Sequence, residues 1–220
     1  MYATSKYRFE RGRSLVSHVC ADLDLICIRH ASIAGKFRLA AFPHGVESTS
    51  SFLCLAELLL PSVEMLVFQH SYAFDSSAPP RIGDLSDLAG DAFETLAEWT
   101  DRPLALFGHG RGADLAYRVA RRLEREAGVV PATLFVSGAV GAARSEVRDS
   151  GPELRCPVVA LTGERDRRAP VSAVRNWRHR TSGTFDLEVF PGARGYLDIS
   201  RRQVANLVHD QLLVTENKGA

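Results

Sequence analysis

A mostly parallel, doubly wound α/β sheet is the fold class this sequence predicts, and three observations predict it. Short apolar runs alternate with longer segments of helical periodicity. The apolar runs are nearly continuous, the pattern of strands buried on both faces. A glycine-rich turn, Gly108-His109-Gly110-Arg111-Gly112, joins one such run directly to a helical pattern. Strand–helix–strand order of this kind puts helices on both faces of the sheet.

The elements follow in order. The first 22 residues are polar, Arg-rich and without pattern, and are expected to form a loose N-terminal extension to a domain at 23–220. Phe37 to Phe42 reads as a strand ended by Pro43, and Ser51 to Leu60 as a helix stopped by Pro61. Val63 to Phe68 is the next strand. From Asp84 to Trp99, Leu85, Leu88, Ala92, Leu96 and Trp99 recur at spacings of three and four, one face of a helix. Asp84 and Asp87 suit its first turn, where free N–H groups favour acidic side chains. Pro103 to Phe107 is a strand, and the helix after the glycine turn runs through Ala127 to Gly128. Ala132–Val136, Pro157–Leu161 and Phe185–Phe190 are further strands. Pro170 opens a helix through Arg180, and Ile199–Val214 is a terminal helix with Val204, Leu207, Val208 and Leu212 on one face. Ligands of such sheets bind beyond the carboxyl ends of the strands, so the loops after Phe42, Phe107, Val136, Leu161 and Phe190 are the places to look.

Composition removes several function classes. With 27 basic and 26 acidic residues there is no basic excess to attract nucleic acid. No apolar run approaches the ~20 residues of a membrane span, and the N-terminus lacks an apolar leader. Cys20, Cys27, Cys54 and Cys156 form no C-x-x-C pair, so neither a zinc site nor a disulfide framework is expected. A cytoplasmic protein without metal or cofactor is the expectation. The G-x-G-x-G turn is neither a P-loop nor a full dinucleotide fingerprint, and no acidic residue follows at the spacing a ribose needs.

The same turn has the shape of a nucleophile elbow, in which small residues flank a strained turn whose central side chain projects above the sheet. Gly108 and Gly112 are the flanking glycines; the central residue is Gly110, which carries no nucleophile. Together with FRLAAFPHG (37–45), PATLFVSG (131–138), CPVVALTGERD (156–166) and FPGARGYL (190–197), the stretch RPLALFGHGRG (102–112) resembles the type II thioesterases of polyketide and nonribosomal peptide synthesis, which are α/β-hydrolases. These five stretches stand in the family's order and nearly at its spacing, from about Arg29 to the C-terminus.

The resemblance implies an α/β-hydrolase-like fold and a degenerate triad. The nucleophile position of the family's G-H-S-x-G is Gly110, the acid position is Asp166, and the histidine position of F-P-G-G-H-F is Arg194. Only 139–155 separates two strands between which the family inserts lid helices, so a shortened or absent lid is expected. Gly45-Val46-Glu47 replaces the glycine pair of the oxyanion loop, whose backbone N–H groups, with that of Arg111, would bind substrate; His70 at a strand end is a weaker candidate. A guanidinium cannot accept a proton, so Ser-His-Asp chemistry is not expected, and His44 and His109 are the remaining imidazoles able to act as acid or base. Cys54, Cys156, Ser48, Ser50 and Ser51 read as core, capping or loop residues.

Arg194 and Asp166 are expected to meet as a charge-assisted pair; the alternative turns Arg194 into the cleft toward a carboxylate or phosphate. Three functions stay open. One is a pseudoenzyme of an antibiotic-type pathway that binds an acyl or polyketide-like molecule, free or carrier-bound, and promotes cyclisation or rearrangement by orientation. Another is a non-catalytic protein partner with an apolar patch near 139–155. The third is a residual thioesterase using water and His44 or His109. Oligomeric state is not legible.

Overall fold

The computed structural model describes residues 7–13, 23–70, 82–141 and 153–219. Its strands are β1 (Tyr7–Arg13), β2 (Leu23–His30), β3 (Phe37–Phe42), β4 (Val63–His70), β5 (Leu104–His109), β6 (Leu134–Ser137), β7 (Val158–Gly163) and β8 (Phe185–Phe190). They form one eight-stranded sheet in the order β1-β2-β4-β3-β5-β6-β7-β8. β1 and β2 run antiparallel to their neighbours, and β3 through β8 are parallel. The helices are α1 (Val46–Leu59), α2 (Ile82–Ala97), α3 (Arg111–Glu126), α4 (Val171–Val174), α5 (Tyr196–Ile199) and α6 (Arg201–Gly219), with a 3-10 helix at Arg175–Arg180.

The strand residues sort by parity into two cores. Leu39, Ala41, Met65, Val67, Ala105 and Phe107 face one side, against Phe52, Leu55 and Leu59 of α1 and Val204, Val208 and Leu212 of α6. Ala40, Phe42, Leu66, Phe68, Leu104 and Leu106 face the other, against Leu88, Ala92 and Leu96 of α2 and Leu115, Val119 and Leu123 of α3. This is why the strands lack polar alternation: each face lies under helices, so both parities must be apolar. Aromatic stacks tie neighbouring strands, Phe42 on Phe68 at 4.9 Å and Phe107 on Phe135 at 5.5 Å between centroids.

Four expectations change. The expected N-terminal extension 1–22 contains β1, which pairs along its length with β2, so the sheet reaches further toward the N-terminus than 23–220. Neither strand was legible, because β1 is polar and β2 mixes Asp24, Arg29 and His30 with its apolar residues. Helix α1 begins at Val46, five residues earlier than expected, because Gly45 N–H finds Ser48 Oγ at 3.2 Å and the chain turns at once. The expected 170–180 helix is a single α-turn followed by a 3-10 helix. The expected terminal helix is divided at Ser200 into α5 and α6.

Candidate functional site

The sheet order brings the ends of β3, β5, β6, β7 and β8 side by side, and each contributes to one cleft. At its centre is the turn from β5 to α3. Gly110 has φ 56° and ψ −120°, and its N–H donates to Ser137 O at 2.7 Å. That positive φ suits glycine. The flanking glycines answer to close approach: a Cβ at Gly112 would stand 1.9 Å from Phe42 O, and one at Gly108 would stand 2.3 Å from Gly112 O. The elbow geometry is therefore complete, while its central position has no side chain.

Two other groups stand where that side chain would project. A Cβ at Gly110 would lie 2.6 Å from Arg194 Nη2 and 2.6 Å from His44 Nδ1. Arg194 comes from the loop after β8, which is tied to the loop after β7 by Glu164 N–H to Phe190 O and Arg165 N–H to Gly192 O, both 2.9 Å. The expected Arg194–Asp166 ion pair does not form. Arg194 makes no hydrogen bond or ion pair among the described residues, because its side chain is longer than a histidine's and extends to the space over Gly110. Asp166 is buried; its Oδ1 accepts from Arg168 N–H (2.9 Å) and Ala169 N–H (3.2 Å), and its Oδ2 has no partner among the described residues.

Two backbone donors of the oxyanion loop are also engaged. Arg111 N–H donates to His44 Nδ1 at 3.1 Å, which fixes that nitrogen as an acceptor and puts the ring proton on Nε2. Gly45 N–H donates to Ser48 Oγ, which returns its own proton to Gly45 O at 3.0 Å. Val46 opens α1 and His70 closes β4, but the side chains of both, and that of Glu47, lie outside the described residues.

His109 faces a different network. Tyr196 O–H donates to Leu161 O at 3.0 Å, so Ser137 O–H donates to Tyr196 at 2.5 Å, and His109 Nδ1–H donates to Ser137 Oγ at 2.8 Å. The chain ends on a backbone carbonyl and leads no proton to the cleft. Burial, followed by the charges of Arg194 and His44, pushes the His109 imidazole down to about 3 against the pull of Asp166 and Asp198. His109 is thus a neutral hydrogen-bonding group of the core. Ser137 and Tyr196, which hold it, were overlooked in the sequence although both stand within VSG and FPGARGYL. Nothing in residue type announced that a serine and a tyrosine 59 positions apart would meet.

The other sequence candidates fall outside the cleft's chemistry. Cys156 is buried at the start of β7, and burial pushes its thiol well up, so it is inert. Cys54 is half-buried on α1. Among the described residues no group of three or more His, Cys, Asp or Glu side chains could hold a metal, and no helix is long and apolar enough to cross a membrane. Of the apolar patch expected near 139–155, Val140 is exposed, Ala139 and Gly141 are buried, and 142–152 lies outside the described residues.

Residues 37–151 match the model of the thioesterase domain family. The chain is 31% identical to Thioesterase PikA5 of Streptomyces venezuelae, with 84% of each chain covered. Among solved structures, the type II thioesterase BorB from the borrelidin biosynthetic cluster is 27% identical with a TM-score of 0.69, covering 82% of this chain and 94% of BorB. A cold-adapted esterase from an Arctic intertidal metagenomic library superposes with a TM-score of 0.72 over 96% of this chain and 97% of its own at 14% identity, a likeness of fold alone. The fold is that of the α/β-hydrolases.

Proposed function

Because the chain belongs to the thioesterase family, we propose that it serves a polyketide or nonribosomal-peptide type of pathway by holding an acyl or polyketide-like intermediate, free or on a carrier protein, without cleaving it through an acyl-enzyme. The observation that carries the reading is at Gly110, where a guanidinium and an imidazole stand in place of a nucleophile. Covalent acyl transfer needs a nucleophile and a base to take its proton. Gly110 supplies no nucleophile, and Arg194 cannot act as the base. Two of the oxyanion-loop donors, the N–H groups of Arg111 and Gly45, are already bound to His44 and Ser48. Arg194, free of carboxylate partners, is suited to a ligand carboxylate, phosphate or enolate oxygen. Orientation in such a cleft can lower the barrier of a cyclisation or rearrangement by several kcal/mol without any covalent step. The pathway part of the reading is supported by BorB, which comes from a biosynthetic cluster.

A second reading, residual hydrolysis by water with His44 as base, is favoured by the place of the His44 ring beside Gly110, provided Nδ1 exchanges its bond from Arg111 N–H for a water proton, and by the thioesterase PikA5. One assay separates the two. Wild-type protein mixed with acyl-N-acetylcysteamine thioesters is expected to bind them, to release no thiol above the buffer rate, and to show no acyl adduct by intact-mass spectrometry. Thiol release that disappears in His44→Ala would transfer the conclusion to the second reading, and an acyl adduct would overturn the first.

A restoring variant tests the framework. Gly110→Ser alone is expected to stay inactive, since Arg194 cannot accept a proton, His44 Nδ1 already accepts from Arg111 N–H, and the new Cβ meets both side chains. Gly110→Ser with Arg194→His removes one of those contacts and gives the orphaned Asp166 Oδ2 an imidazole partner. The double variant is expected to regain thioester hydrolysis with a burst of acyl-enzyme. Failure by a correctly folded double variant would mean that the cleft no longer accepts a thioester at this point.

A further inference from the structure

A cavity of about 430 Å³ lies along helix α3. Asp114, Tyr117, Arg118 and Arg121 recur at spacings of three and four from Gly110, so the face of α3 that begins at the elbow continues as one wall of this cavity. The opposite wall includes Glu153 and Arg180. Tyr117 packs edge-on to Trp177 at 5.6 Å, and the guanidinium carbons of Arg121 and Arg180 lie over its ring at 5.7 and 5.3 Å. The cavity is built from guanidiniums on an aromatic floor.

The internal pairing of these charges is incomplete. Glu153 is served by Arg121 Nε at 2.7 Å and by the Tyr117 hydroxyl. Arg180 reaches Glu153 only at 4.0 Å and donates otherwise to Tyr117 Oη at 3.3 Å. Arg118 has Ser86 Oγ at 3.3 Å and no carboxylate within 4 Å among the described residues. Asp114 is exposed at the cavity mouth and makes no hydrogen bond among the described residues; the protein atoms around it raise its carboxyl above the ordinary aspartate value, against the opposing pull of Arg118 and Arg180. So the cavity offers two guanidiniums with free donors and one acceptor carboxylate beside them, in a volume ordinary for a small-molecule site.

We infer that this cavity is a binding subsite for a small carboxylate that carries a hydrogen-bond donor on a neighbouring carbon, its carboxylate held by Arg118 and Arg180 and its donor by Asp114. A plain anion would meet the guanidiniums but also the repulsion of Asp114; a hydroxyl next to the carboxylate turns that repulsion into a hydrogen bond. The subsite goes beyond the reading of the elbow and stands whether or not that reading does.

The probes are glutarate and 2-hydroxyglutarate, equal in charge and differing by one hydroxyl, titrated by calorimetry into the full chain. Wild type is expected to bind 2-hydroxyglutarate about tenfold more tightly than glutarate, the scale of one well-made polar contact. Asp114→Ala should abolish the preference by tightening glutarate and weakening its hydroxylated analogue, a reversal that a structural role would not produce. Arg118→Gln should weaken both about tenfold with little change in melting temperature, since the hydrogen bond Arg118 makes among the described residues, to Ser86 Oγ, is long and exposed. Arg180→Lys, which keeps the charge and loses the fork, should weaken both less than Arg180→Gln. The proposal is overturned if neither acid binds at about 10 mM, if wild type does not distinguish the two, or if binding survives Arg118→Gln unchanged. None of these outcomes bears on thioester binding at Gly110, which the acyl-N-acetylcysteamine assay reads separately.

Discussion

His109 stands next to the elbow's central residue, where an imidazole invites a catalytic reading, yet its ring is buried and donates to Ser137. A buried neutral histidine makes a definite contribution to stability against pH. Its folded-state value, about 3, lies below the ordinary 6.5, so the unfolded chain binds more protons between those two values. The contribution is complete above about pH 6.5 and is lost progressively as the pH falls toward 3, with a slope of at most about 1.4 kcal/mol per pH unit. Urea unfolding of wild type and His109→Gln between pH 7 and 5 should show this slope in the former and a flatter line in the latter. The His109 ring should also show no NMR titration between pH 5 and 8. A mid-point near 6.5 would place it in solvent. At the same scale, Arg194 and Asp166 teach a separate point: two charged side chains at positions where a family joins acid to histidine are not thereby a pair, because side-chain length decides where the charge ends up.

At the scale of elements, the opposite end of the sheet holds a charged cluster that fastens β3 to β4. Glu64 is buried and receives Arg102 Nη1 at 2.8 Å, Arg38 Nε at 3.3 Å and Gly35 N–H at 3.2 Å. Arg38 is buried too, stacks over Trp99 at 4.8 Å, and also bonds Asp101 and Trp99 O. Burial alone would raise the Glu64 carboxyl, but the hydrogen bonds from Arg102, Gly35 and Arg38 outweigh it and hold it below its ordinary 4.5. The stability it contributes is therefore present above about pH 4.5 and is lost as the pH falls through the lowered folded-state value. Glu64→Gln leaves two guanidiniums without their shared anion and should cost on the order of 3 kcal/mol in urea denaturation at pH 7. The cleft lies at the other end of the strands, so ligand binding measured well below the melting temperature should be unchanged.

At the scale of the molecule, β1 decides what the sheet's edge is. Residues 7–13 cover one side of β2, whose Leu25 and Cys27 are buried. Deleting residues 1–13 would leave β2 as an open edge strand with unpaired N–H and C=O groups, the arrangement that templates association with another chain. The truncated protein should melt at lower temperature and scatter light at concentrations where the full chain stays monodisperse; unchanged behaviour would mean that β1 contributes nothing to the edge. The parallel strands from Phe37 onward and the elbow at Gly108–Gly112 with a glycine at its centre could be read from the sequence, because doubly buried strands must be continuously apolar and a glycine-flanked turn shows in residue type. The strand at Tyr7–Arg13 could not be, since pairing is a property of two backbones and leaves no mark in polar residues. Nor could the guanidinium over Gly110, the orphaned oxygen of Asp166, or the arginines around Tyr117. The chain order determined which residues end the strands. Only the folded sheet, by setting β3, β5, β6, β7 and β8 side by side, decided which of those ends face one another and how far each side chain reaches, because contacts between distant segments depend on strand order and side-chain length rather than on local pattern.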